Sequence, residues 1–382
     1  MDNIRGLHMQ IGVIKLGSRI SYGGRDTSGG NGEVRSIIRI LQEGGAHVHV
    51  LTKILKNDYL EPTISWNQIV DEYNLINKLK LDALLVINGN LNFFGGAEDR
   101  EQILNYHIIN NFKGPVYYVL CDPALQLKQI WPSVSKKSWG SNYKQLDIEI
   151  TRKDIVYIAQ PYNTHMLLDI VQKNNIEINT AYHFPFEQFP CLNEQLPMVP
   201  LDKLTADLSY GGTMRGNKRE KKMIDFYWGY PNSIDVEMFG KIEHDNFTPK
   251  KIGSLRPPRF SGSVKYDDFL PRMNTCLSTV VIGDPLYEKL GDLNQRIYES
   301  IWSNVITFID ADFDKDKRAY GHESDLADFL YVSNRNDVIN KLDLIKNNKS
   351  FREDVLMLQF KTVNFNKHKY SGTLINIIKE NL

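Results

Sequence analysis

Asp122 follows the apolar run Val116–Cys121 and precedes Pro123, so it stands at the carboxyl end of a predicted strand. A carboxylate there is where a general base would meet a substrate hydroxyl, though a turn residue before proline needs no chemistry to explain it. Cys121 beside it lacks an evident activating partner and reads as a core thiol. A second candidate is Tyr210-Gly211-Gly212-Thr213-Met214-Arg215-Gly216-Asn217-Lys218-Arg219, expected to pass from a strand through a glycine turn into a helix. That geometry presents backbone N–H groups to an anion. Lys218, Arg219, Lys221 and Lys222 load the start of the helix with cations that its dipole disfavours, unless a bound phosphate offsets them. A solvated basic face is the alternative, and no G-K-[ST] follows to make a P-loop. Arg296 and Glu299, three apart on a predicted helix, share a face. They form either a surface ion pair or a phosphate-binding fork beside a carboxylate that accepts ribose hydroxyls.

Asn90-Leu91-Asn92-Phe93-Phe94-Gly95-Gly96 places two aromatics in a glycine-flanked loop after a strand. Such residues either fold back into a core or project as a wedge into the space left by a flipped base. Lys128, Trp131, Lys136, Lys137 and Trp139 interleave cations with aromatics, a pattern compatible with phosphate contact. Other signals fail. Asp310-Ala311-Asp312-Phe313-Asp314-Lys315-Asp316 has the start of a calcium loop, but Lys315 replaces the turn glycine and Gly321 the bidentate glutamate. It is read as a solvated loop. His47 and His49 share one face of a strand without a third ligand in register, so no structural metal is expected.

The elements that must hold these residues alternate between short β-branched or aromatic runs and amphipathic stretches, the signature of βαβ units. Strands are predicted at Gln10–Leu16, His47–Thr52, Ala83–Asn88, Val116–Cys121 and Ile155–Ala159, with helices at Glu33–Gln42, Arg100–Asn111 and Thr164–Lys173. A second set follows: strands Asp207–Tyr210, Asp235–Phe239, Thr279–Ile282, Val305–Ile309 and Phe329–Val332, and helices near Lys218–Tyr227, Leu293–Trp302 and Asn336–Ile345. Pro190, Pro197 and Pro200 mark the crossing between the sets. The expected fold is α/β, with two doubly wound domains flanking a cleft at the carboxyl ends of their strands. The domains are placed at 1–190 and 191–365, with 366–382 as a tail or helix that packs back on the first.

The 382 residues carry 46 Lys+Arg against 46 Asp+Glu, so no global charge points to nucleic acid. The three cysteines form no C-x-x-C pair, which argues against a disulfide framework or a thiolate zinc site. The apolar runs are strand-sized, below the ~20 residues of a membrane span. The amino terminus lacks the apolar stretch of a signal peptide, so a cytoplasmic protein is expected.

Leu91-Asn92-Phe93-Phe94-Gly95-Gly96, Tyr117-Tyr118 with Asp122, Trp131-Pro132-Ser133-Val134, Tyr210-Gly211-Gly212, Arg215 with Arg219, Ile282-Gly283-Asp284 and Ile309-Asp310 together resemble the T-even phage DNA β-glucosyltransferase family. The resemblance is colinear over nearly the whole chain. It implies a GT-B fold of two Rossmann-like domains and inverting transfer of glucose from UDP-glucose to 5-hydroxymethylcytosine in duplex DNA, after base flipping. Carried over by motif, Asp122 resembles the catalytic base, and Glu33, Asp284 and Glu187 the carboxylates around the sugar. Gly212, Thr213, Arg215, Arg219, Val264, Tyr287, Arg296 and Glu299 match positions that hold UDP. Asn92 and Phe94 match the loop that probes DNA, with Lys128, Lys136 and Lys137 as phosphate contacts. Mg²⁺ or Mn²⁺ is implied as an aid to UDP departure rather than as an ion held by a protein D-x-D motif. The resemblance also implies a phage-encoded monomer acting in the bacterial host, without a membrane.

Two departures fall where specificity resides. The Gly17–Glu33 stretch, which borders the sugar, is longer and richer in glycine than the family pattern, which admits a donor such as UDP-arabinose. Ala124 replaces a basic residue after Asp122, which admits another acceptor such as 5-hydroxymethyluracil. Two further readings remain at this level: a GT-B transferase for a small molecule or glycan, and a non-catalytic DNA-binding relative.

Overall fold

The computed structural model describes residues 9–15, 30–52, 65–68, 79–87, 105, 107–120, 152–159, 180–184, 195–214, 219–240, 252–264, 266–283, 293–320, 324–370 and 372–382. Two compact units divide the chain. The first draws on the described residues of 1–22, 30–191 and 370–382, the second on those of 192–369.

In the first unit, β1 (Gln10–Lys15), β2 (His47–Thr52), β3 (Ser65–Gln68), β4 (Ala83–Ile87), β5 (Val116–Leu120), β6 (Val156–Ala159) and β7 (Thr180–His183) form one sheet. Their order is β3-β2-β1-β4-β5-β6-β7, and every pair is parallel. A parallel sheet is covered on both faces, so its inner strands need apolar residues at successive positions rather than at alternate ones. β4, Ala-Leu-Leu-Val-Ile, is buried throughout. Helix α1 (Gly30–Glu43) turns Ile37, Ile38 and Leu41 into the core. The C-terminal helix, Thr373–Glu380, adds Leu374, Ile375, Ile377 and Ile378 to that same core. Buried Tyr117 Oη donates to the Ile378 carbonyl at 2.9 Å, and burial pushes its phenol well above the ordinary range.

The second unit repeats the plan with β8 (Ala206–Gly211), β9 (Val236–Phe239), β10 (Arg259–Phe260), β11 (Cys276–Val281), β12 (Ile306–Asp310) and β13 (Tyr331–Val332). The order is β10-β9-β8-β11-β12-β13, again parallel. Its helices are α2 (Glu220–Tyr227), α3 (Tyr266–Asn274), α4 (Gln295–Trp302), α5 (Asp325–Phe329), α6 (Arg335–Asn347) and α7 (Lys349–Tyr370), which makes the C-terminal helix α8. Tyr227, Trp228, Tyr298 and Phe308 are fully buried. Among the described residues no helix is long and apolar enough to cross a membrane.

Differences from the sequence reading have local causes. Phe329–Val332 is not one strand: the Ser324 side chain accepts from the Leu326 and Ala327 N–H groups and caps α5, which runs through Phe329, so β13 keeps only Tyr331–Val332. The loop after β12 is not simply solvated. Asp314 is 1% exposed, accepts from the Arg318 and Ala319 N–H groups, and takes the Tyr331 hydroxyl at 2.8 Å. Helical backbone at Asn105 and His107–Asn111 falls within the predicted Arg100–Asn111 helix. The predicted Thr164–Lys173 helix lies outside the described residues.

Candidate functional site

The strand order of the second sheet reverses between β8 and β11, and in such sheets the ligand crevice opens beyond the carboxyl ends of the strands at that switch. β8 ends on Gly211 and continues into Gly212-Thr213; β11 is followed by Ile282-Gly283. The first glycine turn is built by close backbone packing. Gly212, at φ +143°, donates its N–H to the Phe239 carbonyl at 3.0 Å. Gly240, at φ +125°, donates to the Gly262 carbonyl at 2.7 Å. A Cβ on Gly240 would lie 2.0 Å from the Gly212 carbonyl oxygen, so the two backbones touch only because no side chain intervenes. Tyr210 Oη donates to the Thr213 carbonyl at 3.2 Å and fixes the far side of the turn. Ser263 and Val264 follow directly after Gly262, which brings Val264 to this edge.

Phe269 of α3 joins the turn to α4. It packs against Phe239 at 5.4 Å between ring centroids, and a Cβ on Gly211 would meet its ring. The Arg296 guanidinium lies 3.9 Å from the centre of that ring, a stacking geometry that suits a weakly hydrated planar cation. Arg296 Nη1 also pairs with Glu299 Oε2 at 3.3 Å. Glu299 is almost fully buried. The pair is therefore held from below by an aromatic ring and keeps a partly exposed guanidinium. Asn294 caps α4 by accepting the Arg296 N–H at 2.8 Å, and Ile297, Ile301 and Trp302 bury the opposite side of the helix. Arg219 occupies the N-cap position of α2, half-buried. The arrangement offers a glycine turn, a stacked guanidinium and a carboxylate at one strand edge, which is the chemistry of a sugar-nucleotide phosphate and ribose site.

Gly212, Thr213, Val264, Arg296 and Glu299 are thus brought to one edge. Lys222 is not available to an anion: its Nζ lies 2.9 Å from Asp310 and 2.6 Å from Asp312. Burial raises the Asp310 carboxyl above the ordinary carboxylate range, with Lys222 drawing it back down. Removing one member of a buried pair leaves an uncompensated charge. Lys222→Met is therefore expected to cost about 3 kcal/mol at neutral pH by urea unfolding, the low end for a broken buried pair because Lys222 is partly exposed. The raised Asp310 protonates first as pH falls, so the penalty should shrink on acidification. A penalty independent of pH would contradict the pairing.

The contributions of Gly240 and Phe269 were not legible as sequence motifs, because each acts through a contact distant in the chain. Asp122, Glu187, Asp284, Arg215, Tyr287, Asn92, Phe94, Lys128, Lys136 and Lys137 lie outside the described residues. Glu33 falls in the first turn of α1, but its side chain is likewise outside them.

Residues 9–190 match the family model described as Bacteriophage T4 beta-glucosyltransferase. The DNA beta-glucosyltransferase of Enterobacteria phage T4 is 25% identical over 365 residues, covering 94% of this chain and 96% of that protein. The solved structure of the T4 phage enzyme in complex with UDP and Mn²⁺ has a TM-score of 0.72 at 22% identity, covering 97% of this chain and 99% of the other. The T4 phage enzyme in complex with its UDP-glucose substrate has a TM-score of 0.70 at 21% identity, with the same coverage. The two parallel sheets and these likenesses give a GT-B fold.

Proposed function

We propose that the chain, whose residues 9–190 match the T4 beta-glucosyltransferase family model, is a member of that family and an inverting DNA glycosyltransferase. It moves glucose from UDP-glucose to the hydroxymethyl group of 5-hydroxymethylcytosine in duplex DNA. The observation that carries this reading is the meeting of the Gly212 turn, the stacked Arg296 and the buried Glu299 at the switch point of the second sheet. Similarity to the T4 enzyme along nearly the full chain supports the rest.

In the proposed reaction Asp122 takes the proton from the hydroxymethyl oxygen as that oxygen attacks the anomeric carbon from the face opposite UDP. The new C–O bond forms as the bond to the diphosphate oxygen breaks, through an oxocarbenium-like transition state. The electron pair leaves with UDP, and the charge growing on the diphosphate is met by Arg296, Arg219 and Arg215 and by the Gly212–Thr213 turn. Glu299 accepts the ribose hydroxyls and Val264 packs on the uracil. Glu33, Asp284 and Glu187 orient the sugar, while Tyr287 completes the nucleotide pocket. The target base is extrahelical, with Asn92 and Phe94 entering the stack it vacates and Lys128, Lys136 and Lys137 meeting phosphates. Among the described residues no three His, Cys, Asp or Glu side chains converge. Mg²⁺ or Mn²⁺ would therefore be held by the diphosphate rather than by these side chains, and would aid UDP departure. The proposal places a monomer in the cytoplasm of the infected host.

The test is to incubate the protein with hydroxymethylcytosine duplex and, separately, UDP-glucose or UDP-arabinose, and to resolve the nucleosides by mass spectrometry. A hexose gain is expected. A pentose gain would assign the altered Gly17–Glu33 stretch to another donor. No gain in a protein that still binds UDP would overturn the acceptor or the donor.

A further inference from the structure

Arg352 on α7 is 7% exposed, yet its guanidinium meets no hydrogen-bonding or charged partner among the described residues. Its backbone N–H donates to the Asn348 carbonyl at 3.0 Å, and Nε is buried and unsatisfied. Four buried carboxylates in this unit are countered: Glu237 by Arg259 and Arg272, Asp310 by Lys222, Glu299 by Arg296 and Asp314 by Arg318. A cation buried to this degree without a counter-charge is costly enough that such groups are ordinarily paired.

Arg352 lines a cavity of about 20 Å³ together with Met198, Leu204, Asn274, Ile306 and Leu356, room for one or two water-sized groups. Cys276 and Ile306, which also line it, are the first residues of β11 and β12. The cavity thus lies at the amino ends of the strands, away from the carboxyl edge that carries Gly212 and Arg296. Asn274 already donates to the Pro197 carbonyl at 3.0 Å, so Arg352 carries the one positive charge of this lining. That combination suits a single negative charge and leaves the second charge of a phosphate without a partner.

We propose that Arg352 anchors a small-monoanion site at the amino edge of the second sheet, taking chloride or the carboxylate end of a small molecule. Met198 and Leu204 belong to the segment by which the chain enters this unit, so the anion ties that segment to α7 and to the strand ends.

Thermal unfolding of the full chain and of Arg352→Met is followed while sodium sulfate is replaced by sodium chloride, or by sodium acetate, at constant ionic strength. At ten times the half-saturating concentration the wild-type midpoint should rise by about 4 °C relative to the variant. A response to chloride assigns a halide, a response to acetate assigns a carboxylate, and either supports the site. An equal response in both proteins, or none in the wild type, overturns it. Should Arg352→Met fail to fold, wild-type crystals soaked in bromide or acetate give the answer directly. New density at the guanidinium supports the site, and its absence in both soaks overturns it.

Discussion

Asp122→Asn is expected to lower turnover by about a thousandfold, within the range that a positioned general base contributes. Its affinity for UDP-glucose should change by less than about threefold. Asparagine keeps the shape and one acceptor oxygen but cannot take up the hydroxymethyl proton, so only the transition state loses an interaction. Single-turnover rates on hydroxymethylated duplex, with UDP-glucose titrated calorimetrically, separate the two quantities. Retained turnover would remove Asp122 from the role of base. An unchanged biological effect without turnover in either protein would favour a duplex-binding relative over an enzyme.

The second large effect is at Gly240. Alanine there would hold φ at +125° against its own Cβ and bring that carbon to 2.0 Å from the Gly212 carbonyl oxygen, so the backbone of the glycine turn must move. Backbone strain of about 1–3 kcal/mol adds to an overpacking cost of similar size. Gly240→Ala should therefore lose about 3 kcal/mol of stability and bind UDP at least tenfold more weakly, because the displaced turn carries Gly212 and Thr213. Gly253→Ala is the control. Its φ is +64° with nothing within 4 Å of the added carbon, so it should cost about 1 kcal/mol and leave UDP affinity unchanged. Normal UDP binding by Gly240→Ala would show that this turn does not form the donor site.

The sequence made the inner strands visible because parallel strands buried on both faces are largely apolar at successive positions, as in β4. It hid the outer ones. β3 (Ser-Trp-Asn-Gln) and β7 (Thr-Ala-Tyr-His) lie at the two sheet edges, where a short strand with one neighbour needs little apolar patterning. No helix was predicted over α3, whose interior carries Pro271, a residue that ordinarily ends a helical pattern. In the site, Arg296 with Glu299 and the Gly212 turn were legible because a strand end followed by a helix start fixes where they stand. Lys222 was misread because its carboxylate partners come 88 and 90 residues later. Phe269 and Gly240 matter through packing that only the folded sheet creates. No local pattern announces a ring beneath a guanidinium or a carbonyl touching an α-carbon.

The return of α8 to the core of the first unit has a consequence for how the chain is made. During synthesis the amino-terminal sheet leaves the ribosome first, yet Leu374, Ile375, Ile377 and Ile378 emerge only after every strand of the second sheet. The order of emergence and the order of completion are opposite. A nascent chain halted near residue 369 holds every strand of both sheets, but its second unit is whole while the first still waits for its last helix. The second unit thus has all its strands and helices to hand before the first acquires α8.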